Sequence, residues 1–185
     1  SQSPKQKGKS QIMKRVLVAA AVVIFGSLFF FWLTNPPSKI KVGQLAPDFL
    51  LSDGQNEKVS LKNFSDKVVI LNFWATWCPP CLAEMPSLEK LHRQLSSSGG
   101  VVVGVNHDSS NLLRSKEAVA GFVKRVPLSF PVLYDIESQA SNLYGIYALP
   151  QTFIIGRDGR VLAVVSGAQD WTSSEFLDRI TAALK

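Results

Sequence analysis

Cys78 and Cys81 are the chain's two cysteines, and they stand in the run NFWATWCPPCLAEMP over 72–86. Ahead of them Val68–Trp74 is a nearly unbroken β-branched and aromatic stretch, the pattern of a strand buried on both faces. Behind them Leu82, Met85, Leu88, Leu91 and Leu95 recur at three- and four-residue spacing, which predicts an amphipathic helix over 79–97. Cys78 therefore falls at the helix N-terminus, where unpaired N–H groups and the positive end of the helix dipole favour a thiolate. A thiolate attacks disulfides, and Cys81, one turn later, is placed to attack the mixed disulfide and release the product. The expected chemistry is two-step dithiol exchange, with Cys78 as nucleophile and Cys81 as resolving thiol.

Other uses of the pair fit less well. With no third cysteine, any intrachain disulfide joins these two, and it closes too short a loop to restrain the unfolded chain much. A four-cysteine zinc site is excluded, and His92 and His107 lack ligand-like spacing, so no metal and no cofactor is expected. Pro79 and Pro80 carry no N–H, which leaves the Cys81 amide as the nearest backbone donor to the Cys78 sulfur. Fewer donors stabilise a thiolate less, so the expectation is a modestly lowered Cys78 pKa and a rather reducing pair.

The elements that hold this motif follow from pattern. Residues 48–60 carry two short strand-like pieces about Ser52-Asp53-Gly54, which reads as a hairpin. Gly99 and Gly100 stop the cysteine helix, and 101–106 is a second buried strand. Ala118, Val119, Phe122, Val123 and Val126 predict a helix over 115–126. A third strand at 131–135 and a short helix near 138–144 come next, and strands at 152–155 and 160–166 flank the hairpin signal 156–159. The last helix starts at a capping box of Thr172 and Glu175 and runs to about Leu184. Strands alternating with helices and closed by a hairpin predict a mixed-sheet α/β domain over 42–185.

Residues 16–33 (VLVAAAVVIFGSLFFFWL) are eighteen in number and uncharged; as a helix they span roughly 27 Å, close to the bilayer hydrocarbon thickness. Apolar on every face, preceded by Lys14-Arg15 and ended by Trp32, they read as one transmembrane helix. The exit lacks small residues for cleavage and no cysteine follows for lipid attachment, so the helix is read as an uncleaved signal anchor. The basic tail 1–15 then stays cytoplasmic, 34–41 is a linker stiffened by Pro36 and Pro37, and 42–185 is extracytoplasmic, on the periplasmic side of the cytoplasmic membrane. Met13 is an equally sensible start, which would make 1–12 dispensable. Lys5, Lys7, Lys9, Lys14 and Arg15 supply five of the net six positive charges, so the rest offers no phosphate-binding surface and nucleic acid is not an expected partner.

Three further stretches complete a pattern: GQLAPDF at 43–49, YGIYALPQTF at 144–153, and Asp158-Gly159. Together with FWATWCPPC and the Glu84-Met85-Pro86 after it, they resemble the thioredoxin superfamily. Within it they resemble the membrane-anchored TlpA/ResA-type thiol:disulfide oxidoreductases, with CcmG-type proteins close. The resemblance implies a thioredoxin-like mixed sheet flanked by helices, with an N-terminal β-hairpin and a central insertion over 106–130 that shapes partner choice. It implies a cis peptide before Pro150, with Trp77, Leu149 and Pro150 forming a substrate-binding edge; the plainer reading is that Pro150 only starts a strand. Glu84 falls where ResA-like proteins carry an acidic residue that modulates cysteine reactivity; taken alone it is a helix-surface glutamate paired with nothing. Asn72 departs from thioredoxin, whose buried aspartate in that strand assists proton transfer, so Glu84 or water must take that proton here, or the step is slower.

The leading expectation is thus an exported reductase. Its substrate is a disulfide-containing exported protein, apocytochrome c by resemblance, and a transmembrane thiol carrier of the CcdA or DsbD kind re-reduces it. A disulfide-forming oxidase keeps the same fold with the electron flow reversed. A thiol peroxidase is disfavoured because Ala75 stands where peroxiredoxins place a threonine, and a non-catalytic protein-binding module would make both cysteines incidental.

Overall fold

The computed structural model describes residues 13, 17, 19, 22–27, 40–108 and 111–184. Most of the basic tail and of the linker, and much of the segment read as an anchor, lie outside these; 22–27 are helical, and no described helix is long and apolar enough to cross a membrane. Residues 1–37 and 38–185 form separate units, and the site belongs to the second.

In chain order that unit has β1 (Leu50–Ser52), β2 (Lys58–Ser60), β3 (Val68–Trp74), α1 (Pro79–Ser96), β4 (Gly100–Asn106) and α2 (Leu112–Val123). There follow β5 (Val132–Tyr134), α3 (Gln139–Tyr144), β6 (Gln151–Ile155), β7 (Val161–Ser166) and α4 (Ser174–Leu184). The strands form one seven-stranded sheet in the order β2-β1-β5-β4-β3-β6-β7. The β3, β4 and β5 strands run parallel, while β6 and β7 add antiparallel on one side. On the other side the β1–β2 hairpin joins antiparallel through Ser52 opposite Tyr134, so it extends the sheet's edge.

The unbroken apolar run of β3 has a direct cause. Val68, Ile70 and Trp74 point into a layer with Met85, Leu88 and Leu91 of α1, Phe122 of α2 and Ile180 of α4. Val69, Leu71 and Phe73 point into the opposite layer with Phe49, Tyr144 and Phe153. Both faces of the strand are covered, so its residues are apolar except Asn72, which is hydrogen-bonded within the core. Two glycines then turn α1 straight into β4: Gly99 sits at φ +84°, and a Cβ on Gly100 would come within 2.9 Å of the Leu95 Cβ.

Two helices differ from the sequence reading, and one of them, α2, also ends at Val123, short of 126. The second helix begins at Leu112, earlier than 115, because the Asn111 side chain caps it by accepting from the Arg114 amide (3.1 Å). Its inward residues are Ser115, Val119 and Phe122, while Ala118 is exposed. The last helix begins at Ser174, so Thr172 lies one position ahead of its N-cap, where its hydroxyl donates to Asp170 (2.6 Å). Before β1, the chain at 43–45 runs beside the start of β7, where Gly43 N–H donates to the Val161 carbonyl (2.8 Å) and Val161 N–H to the Gln44 carbonyl (2.9 Å).

Candidate active site

The loop leaving β3 is pinned before it reaches the cysteines. Thr76 donates to both oxygens of Asp108, its backbone N–H at 2.6 Å and its hydroxyl at 3.0 Å, so the segment after β4 holds the one before Cys78. Cys78 is the N-cap of α1, with extended backbone (φ −101°, ψ 98°) and prolines at the first two helical positions. Its sulfur accepts from the Cys81 amide at 3.3 Å, the first donor available once the prolines supply none. Cys78 and Cys81 are joined by a disulfide with S–S 2.08 Å. Cys81 is fully buried and Cys78 is 5% exposed, so the accessible part of the pair belongs to Cys78.

Cys78 opens on a groove of about 500 Å³ whose walls are 77–80, His107, Ser141 and 146–149. Trp77 stands 62% exposed at its side. The Leu149–Pro150 peptide is cis. Leu149 is a wall of the groove, whereas Pro150 is buried and is not, its carbonyl accepting from the Gly167 amide (2.9 Å). The structure therefore brings Cys78, Trp77 and Leu149 to one cleft and leaves Pro150 behind it.

Glu84 is not a surface residue. It is 2% exposed, and its oxygens accept from Asn72 Nδ2 (2.8 Å), the Gln169 amide (3.1 Å) and Trp171 Nε1 (3.0 Å). Burial pushes its pKa above the ordinary carboxylate value, and the donors of Trp171, Gln169 and Asn72 offset this only in part. Asn72, also fully buried, spans Glu84 and the Thr152 hydroxyl (2.9 Å), while its own Oδ1 has no partner among the described residues. Hence the β3 residue beside the motif fixes an acid one turn beyond Cys81.

Sequence reasoning missed Thr152, Gln169 and Trp171, which build the Glu84 pocket, and Asp108, which holds the loop. Nothing local marks them: Thr152 lies 80 positions from Asn72, and Trp171 lies 87 from Glu84. The loop clamp had one weak signal, a carboxylate soon after the end of a buried parallel strand.

Residues 42–164 match the model of the AhpC/TSA family. Thiol-disulfide oxidoreductase ResA of Bacillus cereus is 32% identical over 177 residues, covering 94% of this chain and 98% of that protein. Its namesake in Halalkalibacterium halodurans is 33% identical over 175 residues, covering 94% and 97%. A crystal structure from Chlorobium tepidum, assigned as the thiol:disulfide interchange protein DsbE, superposes with a TM-score of 0.71 at 32% identity, over 80% of this chain and all of that one. StoA from Bacillus subtilis gives a TM-score of 0.59 at 27% identity, over 74% and 98%. With a reducible cysteine pair capping α1 beside an open cleft, the chain belongs to the thioredoxin-like AhpC/TSA family and, within it, to the ResA-type thiol-disulfide oxidoreductases.

Proposed function

We propose that this oxidoreductase is an exported, membrane-tethered reductase of protein disulfides. The Cys78 thiolate attacks one sulfur of a substrate disulfide, and the other substrate sulfur leaves as a thiolate that takes up a proton. The Cys81 thiolate then attacks the Cys78 sulfur, expelling the second substrate thiolate and closing the Cys78–Cys81 disulfide. Two electrons and two protons pass to the substrate, and one S–S bond forms for the one that breaks. The observation that carries this reading is the asymmetry of the pair, with Cys78 at the lip of the cleft and Cys81 fully buried.

Glu84, whose raised pKa lets it exchange protons nearer neutrality, takes the Cys81 proton that Asn72 cannot accept. Trp77 and Leu149 form the edge that receives the substrate segment, with Pro150 behind it. Residues 16–33 anchor the chain with its N-terminus in the cytoplasm, which concentrates the domain near a membrane thiol carrier of the CcdA or DsbD kind. Apocytochrome c, with paired cysteines that must be reduced, is the leading substrate.

The test is the reduction potential of the full-length protein, equilibrated with defined thiol buffers. A value near or below the roughly −270 mV of thioredoxin is expected. A value near the roughly −120 mV of DsbA would reverse the electron flow and make the protein a disulfide-forming oxidase. Function that survives Cys78→Ala would remove the exchange chemistry altogether.

A further inference from the structure

His107 takes no part in these steps, yet it is a wall of the same groove as Cys78. It follows directly on β4, where its backbone N–H donates to the Trp74 carbonyl (2.9 Å) and sets the main chain against the end of β3. The ring is set from another element. Asp135, 2% exposed, accepts from the amides of Ala140 (3.1 Å) and Ser141 (2.7 Å) and so holds the first turn of α3. The hydroxyl of Ser141, a buried residue, lies 3.3 Å from His107 Nδ1.

With the Ser141 hydroxyl donating to Nδ1, a neutral ring carries its hydrogen on Nε2; a charged ring carries one there too, with Ser141 then accepting. Nε2 has no partner among the described residues, and His107 is half-buried on the cleft. In the arrangement where Ser141 donates, Nε2–H is a held donor on the wall of the cleft. The other walls are mostly apolar, among them Trp77, Pro79, Ile146 and Leu149, and among the described residues no carboxylate, lysine or arginine lines the groove. A polypeptide laid there loses water from its polar groups, and only a group that reaches Nε2–H regains a charge-assisted bond. A basic side chain meets no acidic side chain among the described walls.

We infer that His107 is a specificity-determining residue, which favours substrates with an acidic side chain beside the cysteine that Cys78 attacks. This rests on the reading that the groove receives the substrate disulfide. Ser141 is the positioning residue behind it.

The test uses the full-length protein kept reduced by excess dithiothreitol. Its substrates are three peptide disulfides identical except for Asp, Ala or Lys next to the cysteine, each rate referred to that for hydroxyethyl disulfide. For the wild-type protein, KM for the Asp peptide is expected to be roughly tenfold below that for the Lys peptide, the weight of one charge-assisted hydrogen bond, with kcat alike. His107→Ala brings the two KM values together, and His107→Gln, which keeps a side-chain N–H, restores part of the difference. A wild-type protein that does not discriminate, or a preference that His107→Ala leaves in place, overturns the inference while the groove still handles substrate. A protein that reduces hydroxyethyl disulfide but none of the peptides overturns the groove reading, and the inference with it.

Discussion

Two glutamates of α1 invite comparison: Glu84 near its start and Glu89 in its middle, 2% and 6% exposed. For both, burial is the largest influence and pushes the pKa up. At Glu89 the Ser129 amide (2.7 Å), the Ser129 hydroxyl (2.7 Å) and the Arg93 guanidinium (2.7 Å) outweigh it, and the pKa ends below the ordinary value. At Glu84 the donors are an indole, an amide side chain and one backbone N–H, none of them charged, and burial wins. Depth separates an acid kept ionised from one kept ready to hold a proton: exposed Ser129 and Arg93 surround Glu89, fully buried Asn72 and Trp171 surround Glu84, and the Arg93 charge adds least. The second kind lies one turn from the cysteines.

The comparison breaks most visibly on truncation. Glu84→Ala orphans three donors, of which Asn72 and Trp171 are fully buried, and should cost roughly 3 kcal/mol in urea unfolding. Glu89→Ala leaves donors on exposed Ser129 and Arg93 that water can satisfy, and should cost about 1–2 kcal/mol. Equal losses would show that the two pockets are energetically alike.

A pH series sharpens the contrast because the signs are opposite. Glu84 has its folded pKa raised, so its contribution is fully present below the unfolded value of 4.5 and is lost as pH rises through the folded one. Glu89 has its folded pKa lowered, so its contribution is present above 4.5 and is lost as pH falls through the folded one. Unfolding midpoints between pH 3 and 8 should therefore lose a decline toward neutrality in Glu84→Gln and a decline toward acid in Glu89→Gln. Slopes that change in the same direction would contradict the assignment of partners.

The smallest effect is expected from Arg93→Ala. Arg93 is 68% exposed at the side chain, so its removal should cost under about 1 kcal/mol, while NMR titration shows the Glu89 pKa move upward. An unmoved Glu89 would hand the whole effect to Ser129.

Local pattern made β3, α1 and the Cys78–Cys81 motif legible, because strand and helix periodicity are properties of neighbouring residues. The alternation of elements was enough for a mixed α/β sheet, and likeness of motifs gave its thioredoxin-like form. Glu84 illustrates what was not legible: every third position on a helix shares a face, but whether that face is wet depends here on Trp171 and Gln169, beyond the next six elements. The shifted start of α2 has a smaller cause of the same kind, since Asn111 was passed over as a cap in favour of the apolar spacing that follows it. Thr172 erred the other way, a capping residue by type that lies one position ahead of the N-cap of a helix starting at Ser174.

The sheet's two borders bear on what such a molecule can touch safely. A protein that handles extended, cysteine-bearing chains meets sticky strands at every turn, and an open border of its own would invite them to add on and aggregate. Here β2 offers three residues opening with a lysine, and the start of β7 already has its Val161 groups engaged by Gly43 and Gln44. Short on one side and occupied at its start on the other, the border offers an added chain less length to zip onto than two free strands would.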